Sequence, residues 1–274
     1  MFTKEDGYYE YERLKLPERP GKPRKTGLTV MIDMGPDEFG WIGENGLRDL
    51  LSYGAPFIDM AKIFATNALF YPPELIKRIM AVYAEHGVDT FAGGILFEIA
   101  YQQNAVDELV THLGRLGMKY LEISENYLEL TSDERLREID RFQKAGIGVI
   151  YEFGRKQPTE AITLDQLGAI VDSVMEVGVH HVIVEQSELD MMAEVSPDAF
   201  KAIPDQAWYE HIVIEPDPFR FPEQHIQLIR DFGPDISLCN VAPSQVLRLE
   251  YLRRGIGRAV HYSFLSDQLN QKRD

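Results

Sequence analysis

The stretch "SDERLREIDRFQKAGIGVIYEFGRK" (Ser132–Lys156) decides the fold, because it contains one complete helix-to-strand unit. Its first half places Leu136, Ile139 and Phe142 on one face at helical spacing, with Ser132 suited to a helix start. Gly146 then offers the left-handed conformation that ends a helix without a Cβ clash. "GVIYE" (Gly148–Glu152) reads as a buried strand. The strand ends in polar company, with Glu152 followed by Phe153, Gly154, Arg155 and Lys156. A carboxylate beside two cations at a strand mouth suits a solvated turn, or a site that holds an anion and moves a proton.

The same unit recurs outward from this point. Candidate strands are "LTVMID" (28–33), "FIDMAKI" (57–63), "VDTFAG" (88–93), "YLEIS" (120–124), "HVIVE" (181–185), "IVIE" (212–215) and "ISLCN" (236–240), besides "GVIYE". Helical segments lie between them, and Gly87, Gly117 and Gly178 stand, like Gly146, just before the next strand. Strands alternating with helices in this number predict an α/β fold, a (β/α)8 TIM barrel in a single domain with an N-terminal arm. A doubly wound sheet is the alternative, but no G-x-G-x-x-G follows the first strand. The expected boundaries are an arm at 1–26, the barrel at 27–260 and a C-terminal tail at 261–274. Tyr8, Tyr9 and Tyr11 in the arm are expected to pack on a neighbouring copy, giving a homo-oligomer.

The 274 residues carry 28 Lys+Arg against 44 Asp+Glu, a net charge of −16. That field repels nucleic acid and anionic membrane surfaces, so neither is expected as a partner. A small anionic substrate remains open to the chain, since it feels its own pocket. The lone cysteine, Cys239, rules out an internal disulfide and suits the cytoplasm. No apolar run approaches the roughly 20 residues of a membrane helix, and the N-terminus has no apolar core of a signal peptide.

In such barrels chemistry sits where strands end. Here those ends carry Asp33, Asp59 and Lys62, Glu98, Glu122 and Ser124, Glu152, Glu185, Glu215 and Asn240. A ring of carboxylates repels itself and requires offsetting cations. Lys62, Arg155, Lys156 and the "RRGIGR" segment are available, as is a divalent ion. Oxygen-only ligands favour Mg²⁺, held by Glu122, Glu152, Glu185 and Glu215. The bland reading of any single carboxylate is a structural ion pair. His180 and His181 are neighbours that face opposite sides of a strand. His86, His112, His211, His225 and His261 show no ligand spacing and are expected at helix ends or on the surface, and Cys239 in the core.

The motifs "FIDMAKI", "GGILFEIAY", "LGMKYLEIS", "YEFGRK", "VIVEQSE", "IVIEPDP" and "ISLCNVAPSQVLRLEYLRRGI" occur in an order that resembles the phosphosulfolactate synthase family from about Lys22 to Gly257. That resemblance implies a (β/α)8 barrel that adds sulfite to phosphoenolpyruvate with Mg²⁺, a carbon–sulfur bond-forming lyase. It carries over Lys62, Glu98, Glu122, Ser124, Glu152, Lys156, Glu185, Glu215 and Asn240, with Lys156 as the proton donor assisted by Glu152 and Lys62. Lys156 is expected to have a lowered pKa through nearby cations. Ser124, Asn240 and Glu98 are expected at the substrate, and Arg155 is expected to clamp an anionic group. Three segments depart from the family. "IFATNA" replaces a glycine-rich turn, "EQSE" lacks an arginine, and "GRAVHYS" changes a segment after strand 8 where barrels hold phosphate. Arg258 is the cation expected to compensate. The alternatives are a related barrel lyase or isomerase for another small carboxylate or phosphorylated substrate, and a non-catalytic stress-related relative.

Overall fold

The computed structural model describes residues 16–35, 43–263 and 265. The tyrosines of the expected arm and most of the expected tail lie outside the described residues. Eight parallel strands close into a barrel in chain order: β1 (Thr29–Asp33), β2 (Met60–Ile63), β3 (Asp89–Ala92), β4 (Tyr120–Ser124), β5 (Gly148–Phe153), β6 (Val182–Glu185), β7 (Ile212–Glu215) and β8 (Leu238–Val241). β8 pairs with β1 and leaves no open edge. The expected (β/α)8 architecture is therefore the one observed.

The helices are α1 (Glu44–Gly54), α2 (Asn67–Phe70), α3 (Pro73–Glu85), α4 (Ile95–Gln102), α5 (Val106–Leu116), α6 (Ser132–Lys144), α7 (Leu164–Met175), α8 (Gln186–Val195), α9 (Pro197–Lys201), α10 (Glu223–Phe232) and α11 (Val246–Arg253). They cover the barrel through apolar stripes. In α5, for example, Val106, Leu109, Leu113 and Leu116 are all buried, each worth roughly 1.5–3 kcal/mol if fully transferred from water. Gly87, Gly117, Gly146 and Gly178 have φ of +65°, +76°, +78° and +86°, as their places after helix ends require. The start of α6 differs by one residue from expectation. Thr131, not Ser132, is the N-cap, in a reciprocal capping box with Glu134.

Inside the barrel the strand period of two sorts residues into layers. Leu28, Val30, Phe91, Ile150, Ile183, Val213 and Cys239 form a closed apolar plug, with Met60 and Tyr120 packed on it. Two residues further along β2, β4, β5, β6 and β7 come Lys62, Glu122, Glu152, Glu185 and Glu215. The charged layer thus stands on a dry floor. In β8 the alternation breaks. Thr29 pairs with Leu238 but Met31 with Val241, so β8 carries an extra residue there. Within that bulge Asn240 takes φ of +50° and faces the cavity at the strand ends.

Asp33 and Asp59 are not part of that layer. Asp33 is out of phase with Ile32 and accepts from Tyr83 Oη of α3 at 2.7 Å. Asp59 lies before β2 begins, where it accepts from Thr29 N at 2.8 Å and from Arg24 Nη1 at 2.7 Å. His225 also departs from expectation. It is fully buried on α10 against Phe221, with ring centroids 4.8 Å apart. Burial and, less strongly, Arg253 push its pKa down to about 3. Cys239 has no exposed surface, as expected.

Residues 16–27 run across the N-terminal end of the barrel and are fastened by three cations. Lys22 Nζ donates to Ile58 O at 2.6 Å, Gly87 O at 2.8 Å and Ala55 O at 3.4 Å. Arg24 holds Asp59. Arg19 pairs with Asp235 and lies 3.7 Å from Glu250. Lys22→Met keeps the stem and removes all three donors. It is expected to lower the unfolding free energy by about 2 kcal/mol, read as an earlier urea midpoint with an unchanged slope.

Candidate functional site

Lys62 and Lys156 organise the charged layer. Lys62 Nζ lies 2.8 Å from Glu122 Oε2 and 2.7 Å from Glu215 Oε2. Lys156 Nζ reaches the other oxygen of Glu215 at 2.7 Å and also contacts Glu185 Oε1. Glu215 therefore bridges the two ammonium groups, one per oxygen. Glu152 forms no ion pair with a lysine of the described residues, and accepts instead from Asn126 Nδ2 at 2.9 Å. These side chains line a cavity of about 550 Å³ at the C-terminal ends of the strands, together with Asn240, Gln186, Asp190, Asp217 and Arg220.

The electrostatics follow from this pairing. Burial raises the pKa of Glu152 well above the ordinary range, and the neighbouring Glu215 and Glu122 add to it. Burial, and then Glu215, push Glu185 up to about 7, although Lys156 pulls the other way. Burial would raise Glu215 too, but Lys62 and Lys156 outweigh it and hold the carboxyl well below its usual range. The lysines respond in kind. Burial opposes their charged forms, and the surrounding carboxylates overcome it and raise both pKa values. The expected lowering for Lys156 is thus reversed. Among the described residues no cation contacts it, and Arg155 turns to Glu129 instead.

Arg155 pairs with Glu129 on a second cavity, separate from the first and lined also by Phe153 and Glu188. Its backbone N–H is fixed by Glu188 Oε1 at 3.0 Å, and successive residues of the turn face opposite ways. Arg258 is exposed beyond Gly257 and does not line the strand-end cavity. Glu98 and Ser124 lie behind its wall. Ser124 donates to Glu98, which also accepts from the backbone of Asn126 at 3.0 Å and of Tyr127 at 2.8 Å. That buried carboxylate thereby fixes the loop after β4 and aims Asn126 at Glu152. Asn126 and Arg220 escaped the sequence reading because both lie in loops, where no strand period indicates which way a side chain points.

Glu122, Glu152 and Glu215 offer oxygens that all lie within 4.8 Å of one another. Hard oxygen donors at this spacing fit Mg²⁺. Glu185 is the register partner of Glu215 and lies at the edge of that trio.

The sequence profile of the (2R)-phospho-3-sulfolactate synthase family matches residues 17–258. The chain belongs to this family. The phosphosulfolactate synthase of Bacillus subtilis is 30% identical over 251 residues, covering 89% of this chain and 95% of that one. That of Methanothermobacter thermautotrophicus is 28% identical over 249 residues, covering 88% and 93%. The Arabidopsis thaliana protein HEAT-STRESS-ASSOCIATED 32 is 22% identical over 285 residues, covering 94% and 97%. Among solved structures, a putative dihydrodipicolinate synthetase from Pseudomonas aeruginosa aligns with TM-score 0.53 at 13% identity, covering 90% of this chain and 79% of that one. That likeness is one of barrel fold alone. No helix of the described residues is long and apolar enough to cross a membrane.

Two predictions follow from the packing and the charges. Gly94 N donates to Glu122 Oε1 at 2.7 Å, and a Cβ on Gly94 would lie 2.5 Å from Ser124 Cβ and 2.9 Å from that oxygen. Gly94→Ala is expected to cost about 1–3 kcal/mol, measured by urea unfolding, and to displace Glu122. The second prediction concerns the metal-free protein. Glu185 releases its proton near 4.5 when unfolded and near 7 when folded. The folded state therefore binds the extra proton, and stability falls as pH rises from 4.5 to 7. Glu185→Gln should reduce that slope by up to about 3 kcal/mol over the window, in unfolding titrations at successive pH values.

Proposed function

We propose that this chain is a lyase that joins sulfite to phosphoenolpyruvate, with Mg²⁺ at the cluster of strand-end carboxylates. The observation that carries the reading is the lysine–carboxylate layer at the catalytic end of a barrel whose family is that of phosphosulfolactate synthase. In the reaction the sulfur lone pair attacks the methylene carbon, the C=C pair moves toward C2 and the adjoining carboxylate, and C2 then takes a proton. Glu122, Glu152 and Glu215, with Glu185 beside them, would hold the metal. When bound, it supplies Lewis-acid stabilisation of the charge that develops on the substrate carboxylate.

Lys156 is the proton donor in this reading. Its carboxylate neighbours keep it protonated, and a carbanionic C2 is basic enough to take a proton from an ammonium group. Lys62 keeps Glu122 and Glu215 in place. Asn126 orients Glu152, and Glu98 and Ser124 support that orientation from behind the wall. Asn240, turned inward by the bulge, offers an amide to the substrate.

The balance of charge in the cavity wall favours a second reading, a related barrel lyase or isomerase with a less anionic carboxylate substrate. Lys62, Lys156 and Arg220 face Glu122, Glu152, Glu185, Asp190, Glu215 and Asp217. Purified protein incubated with phosphoenolpyruvate, sulfite and Mg²⁺ separates the two. The first reading expects a new phosphorus resonance and the mass of the sulfonated product. Absence of product over hours at millimolar substrates would move the assignment to the second. Lys156→Ala is expected to lower kcat by about 10²- to 10⁴-fold with an unchanged circular dichroism spectrum. Near wild-type kcat in that variant would remove Lys156 from proton transfer.

A further inference from the structure

Three cations line the strand-end cavity, and they are not equally free to meet a substrate. Lys62 and Lys156 are each held by two carboxylates. Drawing either onto an incoming anion would leave buried carboxylates without partners, which is costly in apolar surroundings. Arg220 is different. Like Lys156 it is exposed, and it lies at the mouth of the cavity in the loop between β7 and α10; its lack of a carboxylate partner among the described residues sets it apart. Its guanidinium makes no ion pair with another of the described residues.

The loop that presents Arg220 is firmly held. Gln245 Nε2, in the segment before α11, donates to Pro218 O at 2.8 Å, and both residues are buried. Gln224 Oε1 accepts from Asp217 N at 2.8 Å. The Asp217 carboxylate accepts from Phe219 N at 2.9 Å, and Arg220 N donates to Asp217 O at 3.0 Å. The acid three residues before Arg220 is thus engaged in capping the turn. Arg220 is carried on a short, braced turn beside β7, a region where barrels commonly hold phosphate. A guanidinium also matches two oxygens of a tetrahedral oxyanion with its two-pronged face.

We propose that Arg220 is the anchor for the phosphate-like end of the substrate, in the role expected of Arg258 from the sequence. The proposal rests on the reading of the cavity as a site for a phosphorylated carboxylate. Arg220 would receive the oxyanion at the mouth, and the carboxylate end would then reach the charged layer. The order of engagement makes capture dependent on ionic strength, because the anchoring cation is solvent-exposed.

Calorimetric titrations of phosphoenolpyruvate, pyruvate and inorganic phosphate into wild type, Arg220→Ala, Arg220→Lys and Arg258→Ala test this, with circular dichroism as the check on folding. Arg220→Ala should weaken phosphoenolpyruvate binding about 10- to 100-fold. Arg220→Lys should recover part of the loss, and Arg258→Ala should bind as wild type does. Pyruvate, which lacks the phosphate, should be indifferent to Arg220. Equal phosphoenolpyruvate affinity in wild type and Arg220→Ala overturns the anchor and leaves the substrate reading standing. Arg220-dependent binding of inorganic phosphate without binding of phosphoenolpyruvate supports the anchor and removes that substrate. Binding of neither by the wild type overturns the proposal.

Discussion

The bridge that Glu215 makes between Lys62 and Lys156 governs the catalytic end of this barrel. A buried carboxylate stays ionised only with cations or several donors at hydrogen-bonding range, and here one carboxylate serves two ammonium groups from different elements. Lys62 comes from β2 and lies almost across the barrel from β7. Lys156 comes from the turn after β5. The bridge therefore links three separate parts of the wall, and fixes where the remaining acids must sit. Glu122 shares Lys62, Glu185 shares Lys156, and Glu152 is left to an amide. That last arrangement leaves Glu152 the acid with the least compensation, and explains why burial and its neighbours drive it toward its neutral form.

The support beneath this layer is as constrained as the layer itself. The apolar plug excludes water from below, so the ion pairs are screened from one side only. Glycine at position 94 lets the backbone come close enough to donate to Glu122. Glu98 contributes from outside the cavity by fixing the loop after β4. Its three donors make it a structural carboxylate whose effect on chemistry passes through Asn126.

The barrel and most of its charged layer were legible in the sequence, for a reason specific to strands. Alternation with period two, applied to "MAKI", "YLEIS", "GVIYEF", "VIVE" and "IVIE", puts Lys62, Glu122, Glu152, Glu185 and Glu215 on one side. The same rule excludes Asp33, which is out of phase with Ile32, and Asp59 precedes the first paired residue of β2. Loops follow no such rule. Arg155 and Lys156 are adjacent and similar, yet they face different cavities, Arg155 beside Glu129 and Lys156 beside Glu185 and Glu215. Arg220 sits in "PDPFRFP", where nothing in the composition announces its direction. The lack of ligand spacing led His225 to be expected at a helix end or on the surface, whereas its imidazole is buried against Phe221.

The strap at the opposite end of the barrel has a bearing on how the chain is made. Residues 16–27 are made before the partners that hold them. Their partners emerge later, since Lys22 needs the carbonyls of Ala55, Ile58 and Gly87, while Arg19 needs Asp235 and Glu250. Full docking of this strap therefore requires residues as far along as Glu250. Closure of β8 on β1 makes the same demand. The strap thus reaches its full set of contacts only on a barrel whose eighth strand has already been made.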